Sequence, residues 1–147
     1  MEILQFAIDQ TQYAVPLSRV LEVVPRVWLT PLPEAPAHVA GVFAYRGTIA
    51  VALDIRARLG HAPQPPRITD HLVITAGKKR PIAVIADQAV GLRQIGVDAI
   101  QPAPVTGGPI SGIVTLPDGL LLVDDLDEVL SLDDEVATER GIAEISR

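Results

Sequence analysis

Hydrophobic and polar positions alternate with a period near two along much of this chain, in short runs that glycine and proline repeatedly cut off. Between Glu2 and Val15 the apolar positions Ile3, Phe6, Ile8, Tyr13 and Val15 predict two strands around a turn at Asp9-Gln10-Thr11-Gln12. Pro16 blocks continuation, Leu17-Ser18-Arg19-Val20 reads as one helical turn, and Leu21 to Leu29 as an extended piece. A loop follows with Pro31, Pro33 and Pro36, whose fixed φ and missing N–H groups forbid a helix interior or a central strand. Gly41 opens the run Val42 to Tyr45, which stops at Arg46-Gly47. The next run, Ile49 to Leu53, alternates little, as a strand buried on both faces would. Asp54 is placed to cap a short helical pattern of Ile55 and Leu59 that Gly60 ends.

The second half restarts with strands after residues 61–69, where Pro63, Pro65 and Pro66 mark the expected boundary between two halves. Leu72 to Thr75 and Ile82 to Ala86 form a predicted hairpin, and Asp87 to Ile95 a strand bent near Gly91. Residues Gly96 to Pro109 make a Pro/Gly-rich excursion. Gly112 to Leu116 and Leu120 to Val123 then flank the turn signal Pro117-Asp118-Gly119. A helix is expected to start near Asp124-Asp125, with Leu126, Val129 and Leu130 on one side. Many short strands with frequent turns predict an all-β barrel or sandwich class. From about Leu132 the acidic residues Asp133, Asp134, Glu135, Glu139 and Glu144 interleave with Val136, Ile142 and Ile145. That pattern predicts a weakly held acidic tail over 132–147, with at most a marginal helix broken at Gly141. The main domain is therefore placed at 1–131.

Composition narrows the class. A chain of 147 residues suits one domain or two small subdomains sharing a core, and 48% apolar residues exclude a largely disordered chain. No apolar run approaches the roughly 18 residues of a membrane span, and the N-terminus lacks a signal-peptide pattern, so a soluble cytoplasmic protein is expected. Without cysteine there is no disulfide or thiolate chemistry. Twelve basic against eighteen acidic residues give a net charge of −6, and only 3% of residues are aromatic. This balance argues against a nucleic-acid-binding face and for steering toward a basic patch on a protein partner.

Candidate chemistry is sparse. His38, His61 and His71 lie in or beside loops without zinc-ligand spacing, and read as surface residues. The acidic group Asp124, Asp125, Asp127 and Glu128 lacks the ligand spacing of a calcium loop. Gly107-Gly108 has no Lys-Ser/Thr after it, and Ser111 does not sit in a nucleophile elbow. No catalytic residue, metal or cofactor is assigned. An alternative class, a small β-barrel enzyme or ligand-binding module, would need Asp54, Asp87 and Arg46 to converge on one polar pocket. Trp28 and Leu29, before the proline loop, read either as a core anchor or as an exposed contact of the kind tryptophan often makes, and the core is the expectation for the lone tryptophan.

Leu32-Pro33, Pro36, Gly41, Arg46-Gly47 and Asp54, in that order and spacing, resemble the pattern of the CheW-like family of chemotaxis signalling adaptors. Tyr13 to Val24 resembles the family's opening strand, turn and Val-x-Glu-Val segment; Ile110 to Leu130 resembles its closing hairpin and final helix. The chain departs at the turn, with Ala44-Tyr45 where the family commonly has Asn-Leu. The resemblance implies two small five-stranded SH3-like β-barrels packed together, with short helices and a hydrophobic core between them. It also implies a non-catalytic scaffold that links the cytoplasmic tip of a methyl-accepting chemoreceptor to the regulatory barrel domain of the histidine kinase CheA. A CheW-like module in a pilus, biofilm or other kinase pathway is the alternative output. By the same resemblance Val20, Glu22, Gly41, Arg46 and Gly47 are the expected partner-binding residues. Arg46, between two very apolar strands, must either pair internally with Asp54 or Glu22 or emerge as an interface residue; the interface is the expectation.

Overall fold

The structure is a computed structural model that describes residues 1–104, 108–124 and 132–145. The predicted alternation produces β1 (Glu2–Ile8) and β2 (Thr11–Pro16), a 3-10 turn at Leu17–Arg19, then β3 (Val20–Pro25), β4 (Val39–Tyr45) and β5 (Thr48–Leu53). After the proline-rich segment come β6 (His71–Ala76), β7 (Pro81–Ala86) and β8 (Gln88–Gln94), a 3-10 turn at Val97–Ala99, and β9 (Gln101–Pro102). The chain continues with β10 (Ile110–Leu116), β11 (Gly119–Asp124) and one helix, α1 (Leu132–Ile145). The expected helix carrying Leu126, Val129 and Leu130 lies outside the described residues.

Two sheets result, with strand orders β8-β1-β2-β11-β10-β9 and β3-β6-β7-β5-β4. They share one plan. In each, a hairpin (β1–β2 or β6–β7) lays its second strand parallel to the second strand of another hairpin (β10–β11 or β4–β5). A flanking strand, β8 or β3, pairs antiparallel with the first strand of the leading hairpin. The flanking strands are exchanged: β3 follows β2 in sequence but joins the other sheet, and β8 follows β7 and crosses back. The proline-rich segment 61–69, expected to divide the two halves, instead joins β5 to β6 within one sheet.

Each sheet closes on itself in the same way. Beyond β3 the chain pairs with β4 through two hydrogen bonds: Thr30 N–H to Val42 O at 2.8 Å, and Val42 N–H to Thr30 O at 2.9 Å. Beyond β8, β9 pairs with β10. At each closure a glycine lets the backbones approach. A Cβ on Gly41 would sit 2.6 Å from Thr30 O, and one on Gly112 would sit 2.5 Å from Ile100 Cγ2. Both glycines follow a register shift in their strand, the local bend that a closing sheet needs. The result is two small barrels, as the resemblance implied, one of five strands as expected and one with the two-residue β9 as a sixth.

Leu4, Phe6, Ile8, Tyr13 and Val15 from one barrel meet Val42, Val51, Leu53, Val73 and Val84 from the other in a shared core. Burying each such side chain contributes about 1.5–3 kcal/mol. Each barrel also has its own interior, around Ile3, Ala14 and Leu121 in one and Phe43, Leu72 and Ile74 in the other.

A polar hub fastens the barrels at the crossing points. The expected helix at Ile55–Leu59 is a single turn, with the Arg56 N–H held by Asp54 Oδ1 at 3.2 Å. That turn carries the Arg56 guanidinium inward, where only 8% of the residue is exposed. It donates to Asp9 Oδ1 at 2.9 Å and to Asp87 Oδ1. Asp9 lies in the β1–β2 turn; Asp87 is the residue between β7 and β8, and its N–H bonds Ala7 O at 2.9 Å. Arg67 adds a bond to Asp87 at 2.8 Å, pinning the proline-rich segment.

His61, expected at the surface, is mostly buried and bridges Tyr13 Oη at 2.6 Å and Asp9 Oδ2 at 3.1 Å. The ring thus links a strand hydroxyl to the turn carboxylate, one through each nitrogen. Burial, and secondarily the charge of Asp124, pushes the Tyr13 phenol up to about 12, so the hydroxyl stays a donor.

The C-terminal segment also differs from expectation. α1 runs through Gly141 without a break, Ile142 is 5% exposed within the shared core, and Arg80 grips Glu139 bidentately at 2.8 and 2.9 Å. Gly141 is suited to its place because a Cβ there would lie 2.8 Å from Leu32 Cγ.

Two outcomes follow from this architecture. Arg56→Met removes the cation that Asp9 and Asp87 share, leaving Asp87 only Arg67, and should lower the midpoint of urea denaturation. The Arg56 hydrogen bond and charge hold the Asp9 carboxyl below its ordinary pKa. That contact therefore stabilises fully above about pH 4 and is lost as pH falls through the folded-state pKa, so the acid limb of the stability profile should flatten in Arg56→Met. A loss below about 1 kcal/mol would show that the hub is not a fastening. Gly41→Ala and Gly112→Ala should each cost about 1–3 kcal/mol by thermal melting, because the closing strands must move apart.

Candidate partner-binding surfaces

Arg46 and Gly47 form the two-residue turn between Tyr45 and Thr48, with φ of 48° and 80°. Positive φ at both positions is the primed hairpin turn that matches strand twist, and it favours asparagine or glycine first. An arginine there carries a backbone cost on the order of 1 kcal/mol. Its side chain is 68% exposed; Nη2 lies 3.4 Å from Glu22 Oε2, and the guanidinium carbon 5.1 Å from the Tyr45 ring centre. Burial, followed by the Glu22 carboxylate, pushes the Tyr45 phenol pKa up.

Of the residues singled out by resemblance, the fold therefore brings together Glu22, Arg46 and Gly47 where the β3 and β4 edges meet. Val20 is half-buried against the shared core, and Gly41 is buried in the barrel wall. The polar pocket of Asp54, Asp87 and Arg46 does not form. Asp54 caps its own turn, Asp87 belongs to the hub, and Arg46 stands at the Glu22 rim.

Trp28 is a correction to the sequence reading. It is 87% exposed, and its neighbour Leu29 makes the core contact instead. In an extended segment neighbouring side chains point to opposite sides, so placing Leu29 inward would have placed Trp28 outward. Beside it are Val27 at 43% and Ile68 at 96% exposure. Their two loops leave a common point, where Arg26 N–H bonds Asp70 O at 3.0 Å and the Arg26 guanidinium bonds Asp70 Oδ2 at 3.2 Å. The product is an exposed apolar corner of the five-stranded barrel.

A second surface lies between the barrels. An apolar cleft of about 330 Å³ runs between the turn after β5 and the β10–β11 hairpin. Leu59, Ile110, Ile113, Leu122 and Pro109 line it, with Tyr13 also in its wall. Its lining comes from both barrels, so the hub that fixes their separation also fixes its shape.

Comparison with known proteins agrees with this arrangement. The family model for the CheW-like domain matches residues 2–134. The chemotaxis protein CheW of Rhizobium meliloti (strain 1021) is 25% identical over 143 residues, covering 92% of this chain and 91% of that protein. Protein FrzA of Myxococcus xanthus is 36% identical over 104 residues, covering 69% of this chain and 64% of FrzA. Among solved structures, the scaffolding protein TtCheW from Thermoanaerobacter tengcongensis superposes with a TM-score of 0.81 at 23% identity, over 90% of this chain and 89% of that one, and so shares the fold. With the match spanning both barrels and their exchanged strands, the chain belongs to the CheW-like domain family.

Proposed function

We propose that this protein is a non-catalytic cytoplasmic scaffold of chemotaxis-type signalling. It holds the cytoplasmic tip of a methyl-accepting chemoreceptor against the regulatory barrel domain of the histidine kinase CheA. The observation that carries the reading is one hub-fastened body with two unlike binding surfaces. The inter-barrel cleft is apolar and suits the apolar face of a helical hairpin, a helix-in-groove mode. The corner of Trp28, Val27 and Ile68, with the nearby rim of Glu22, Arg46 and Gly47, suits a flat protein partner such as another small barrel. Tryptophan and arginine are the residue types most often found to dominate such contacts. Coupling then consists of fixed geometry: a receptor state that contacts the scaffold–kinase assembly differently shifts the kinase equilibrium.

Three substitutions separate the surfaces. Trp28→Ala or Arg46→Ala should leave stability within about 1 kcal/mol, since Trp28 is exposed and the Arg46–Glu22 pair is solvated. Each should weaken binding of the kinase barrel domain by about 2 kcal/mol or more in titration calorimetry. Ile113→Asp should weaken binding of the receptor hairpin while kinase binding is retained. Folded protein that binds neither partner would overturn the scaffold reading. An Arg46→Ala variant that unfolds readily, while its folded fraction binds normally, would make Arg46 a structural residue.

A further inference from the structure

α1 turns one face toward the five-stranded barrel, and the spacing identifies it. Glu135, Thr138, Glu139 and Ile142 stand at i, i+3, i+4 and i+7, the positions that form one stripe of a helix. In a permanently packed surface helix that stripe is apolar. Here three of its four residues are polar, and only Ile142 enters the shared core. The receiving wall has the opposite character: Val51 and Ile82 face a cavity of about 90 Å³ left between barrel and helix. The cavity is open to solvent on one side, so this stretch of the apolar wall is only partly covered by α1. Glu135, Thr138 and Glu139 line the helix side of the cavity, and the hairpin tip Lys78-Lys79-Arg80 lines its rim. Among the described contacts, four tie α1 to the barrel. These are Ile142, the close approach of Gly141 to Leu32, and the bidentate Arg80–Glu139 pair, with Arg80 also donating to Ile49 O at 3.2 Å.

We propose that this groove is a helix-binding site that α1 occupies as an exchangeable latch. Its better ligand is an amphipathic helix supplied in trans, with the chemistry read from the wall. Apolar residues stand where α1 has Glu135 and Thr138, to fill the cavity against Val51 and Ile82. A carboxylate stands at the Glu139 position for the Arg80 fork, with a small residue two positions later against Leu32. The basic hairpin tip favours an acidic helix over a basic one. A helix of 14 residues has little stability of its own, so α1 stays helical through its contacts with the barrel and frays when they are exchanged.

The test needs no native partner. The probe is a synthetic peptide of residues 132–147 with Glu135→Leu and Thr138→Leu, titrated into four full-length proteins, the wild type and three variants, checked for folding by circular dichroism. Glu139→Arg sets two cations against each other and should free α1, with faster amide exchange along the helix and peptide binding at least tenfold tighter than to the wild-type chain. Glu135→Leu should do the reverse, raising the melting temperature, slowing exchange in α1 and weakening peptide binding. Charge reversal by Arg80→Glu in the Glu139→Arg background should restore α1 protection and expel the peptide. Equal peptide affinity for Glu139→Arg, Glu135→Leu and wild type, or binding to none of them, overturns the proposal. So does unchanged α1 exchange in Glu139→Arg.

Discussion

The Arg56 guanidinium is the contact on which the two-barrel arrangement depends. Each barrel receives a flanking strand from the other half of the chain, so neither sheet is complete until both crossings are made. Arg56 sits at those crossings, bonded to Asp9 in the turn of the leading hairpin and to Asp87 at the point where β7 gives way to β8. With Arg67 the hub holds two cations and two carboxylates, so its formal charge cancels locally. Taking such groups out of water is costly, and the hub is tolerable only while all of them remain paired. A barrel that slid against its neighbour would strand a buried charge. The apolar core resists separation, but it is indifferent to modest sliding because dispersion has little directionality. The ionic hub supplies the directional term, and a scaffold that works by fixed geometry needs that term more than it needs extra stability.

The shared plan of the two barrels makes their differences informative. The connection that closes the five-stranded barrel carries Val27, Trp28 and Thr30; the equivalent connection in the other barrel carries Val97, 67% exposed, in its 3-10 turn. One backbone solution thus presents two different exteriors. α1 adds a further asymmetry, reaching the shared core beside the Leu32 loop. An adaptor has to hold unlike partners, and pseudo-equivalent barrels with unequal exteriors allow this without a second fold.

Much of the local structure was legible because strand alternation and turn chemistry are local. The runs at Val42–Tyr45, Ile49–Leu53, Leu72–Thr75 and Leu120–Val123 all fall within strands, and the Arg46-Gly47 turn is where the pattern broke. Assignment of strands to sheets was not legible. Composition changes most sharply at residues 61–69, yet the chain there returns to the sheet it left, because β3 and β8 had already changed places. His61 and Asp87 looked like ordinary loop residues, since their partners at Asp9 stand 52 and 78 positions away. The same distance effect hid α1. Its sequence is that of a marginal helix, and what holds it is a guanidinium 59 residues earlier and a leucine in the proline loop. At the candidate site, the family pattern pointed to Arg46 and Glu22, and their proximity across the barrel rim gives that pairing a physical form. Trp28 escaped because a lone tryptophan has no periodicity of its own.

Three departures from local rules lie on the surface, while the apolar strand interiors obey them. Arg46 holds a left-handed backbone that glycine or asparagine would adopt more readily, Trp28 gives most of its ring to solvent, and α1 turns carboxylates toward an apolar wall. Glu139 of α1 regains a partner in Arg80, whereas Trp28 has little of its ring covered in the free protein. In the strand interiors, by contrast, Ile3, Phe6, Val15, Leu53, Leu72 and Val84 are almost wholly buried, and the closing glycines stand where a side chain would collide. When propensity, pattern and packing agree through a core and disagree at particular places outside it, those places are where binding is the compensating term. The three departures surround the five-stranded barrel, so the physical reading gives that barrel the larger share of partner contacts, with the six-stranded barrel and the hub setting its orientation.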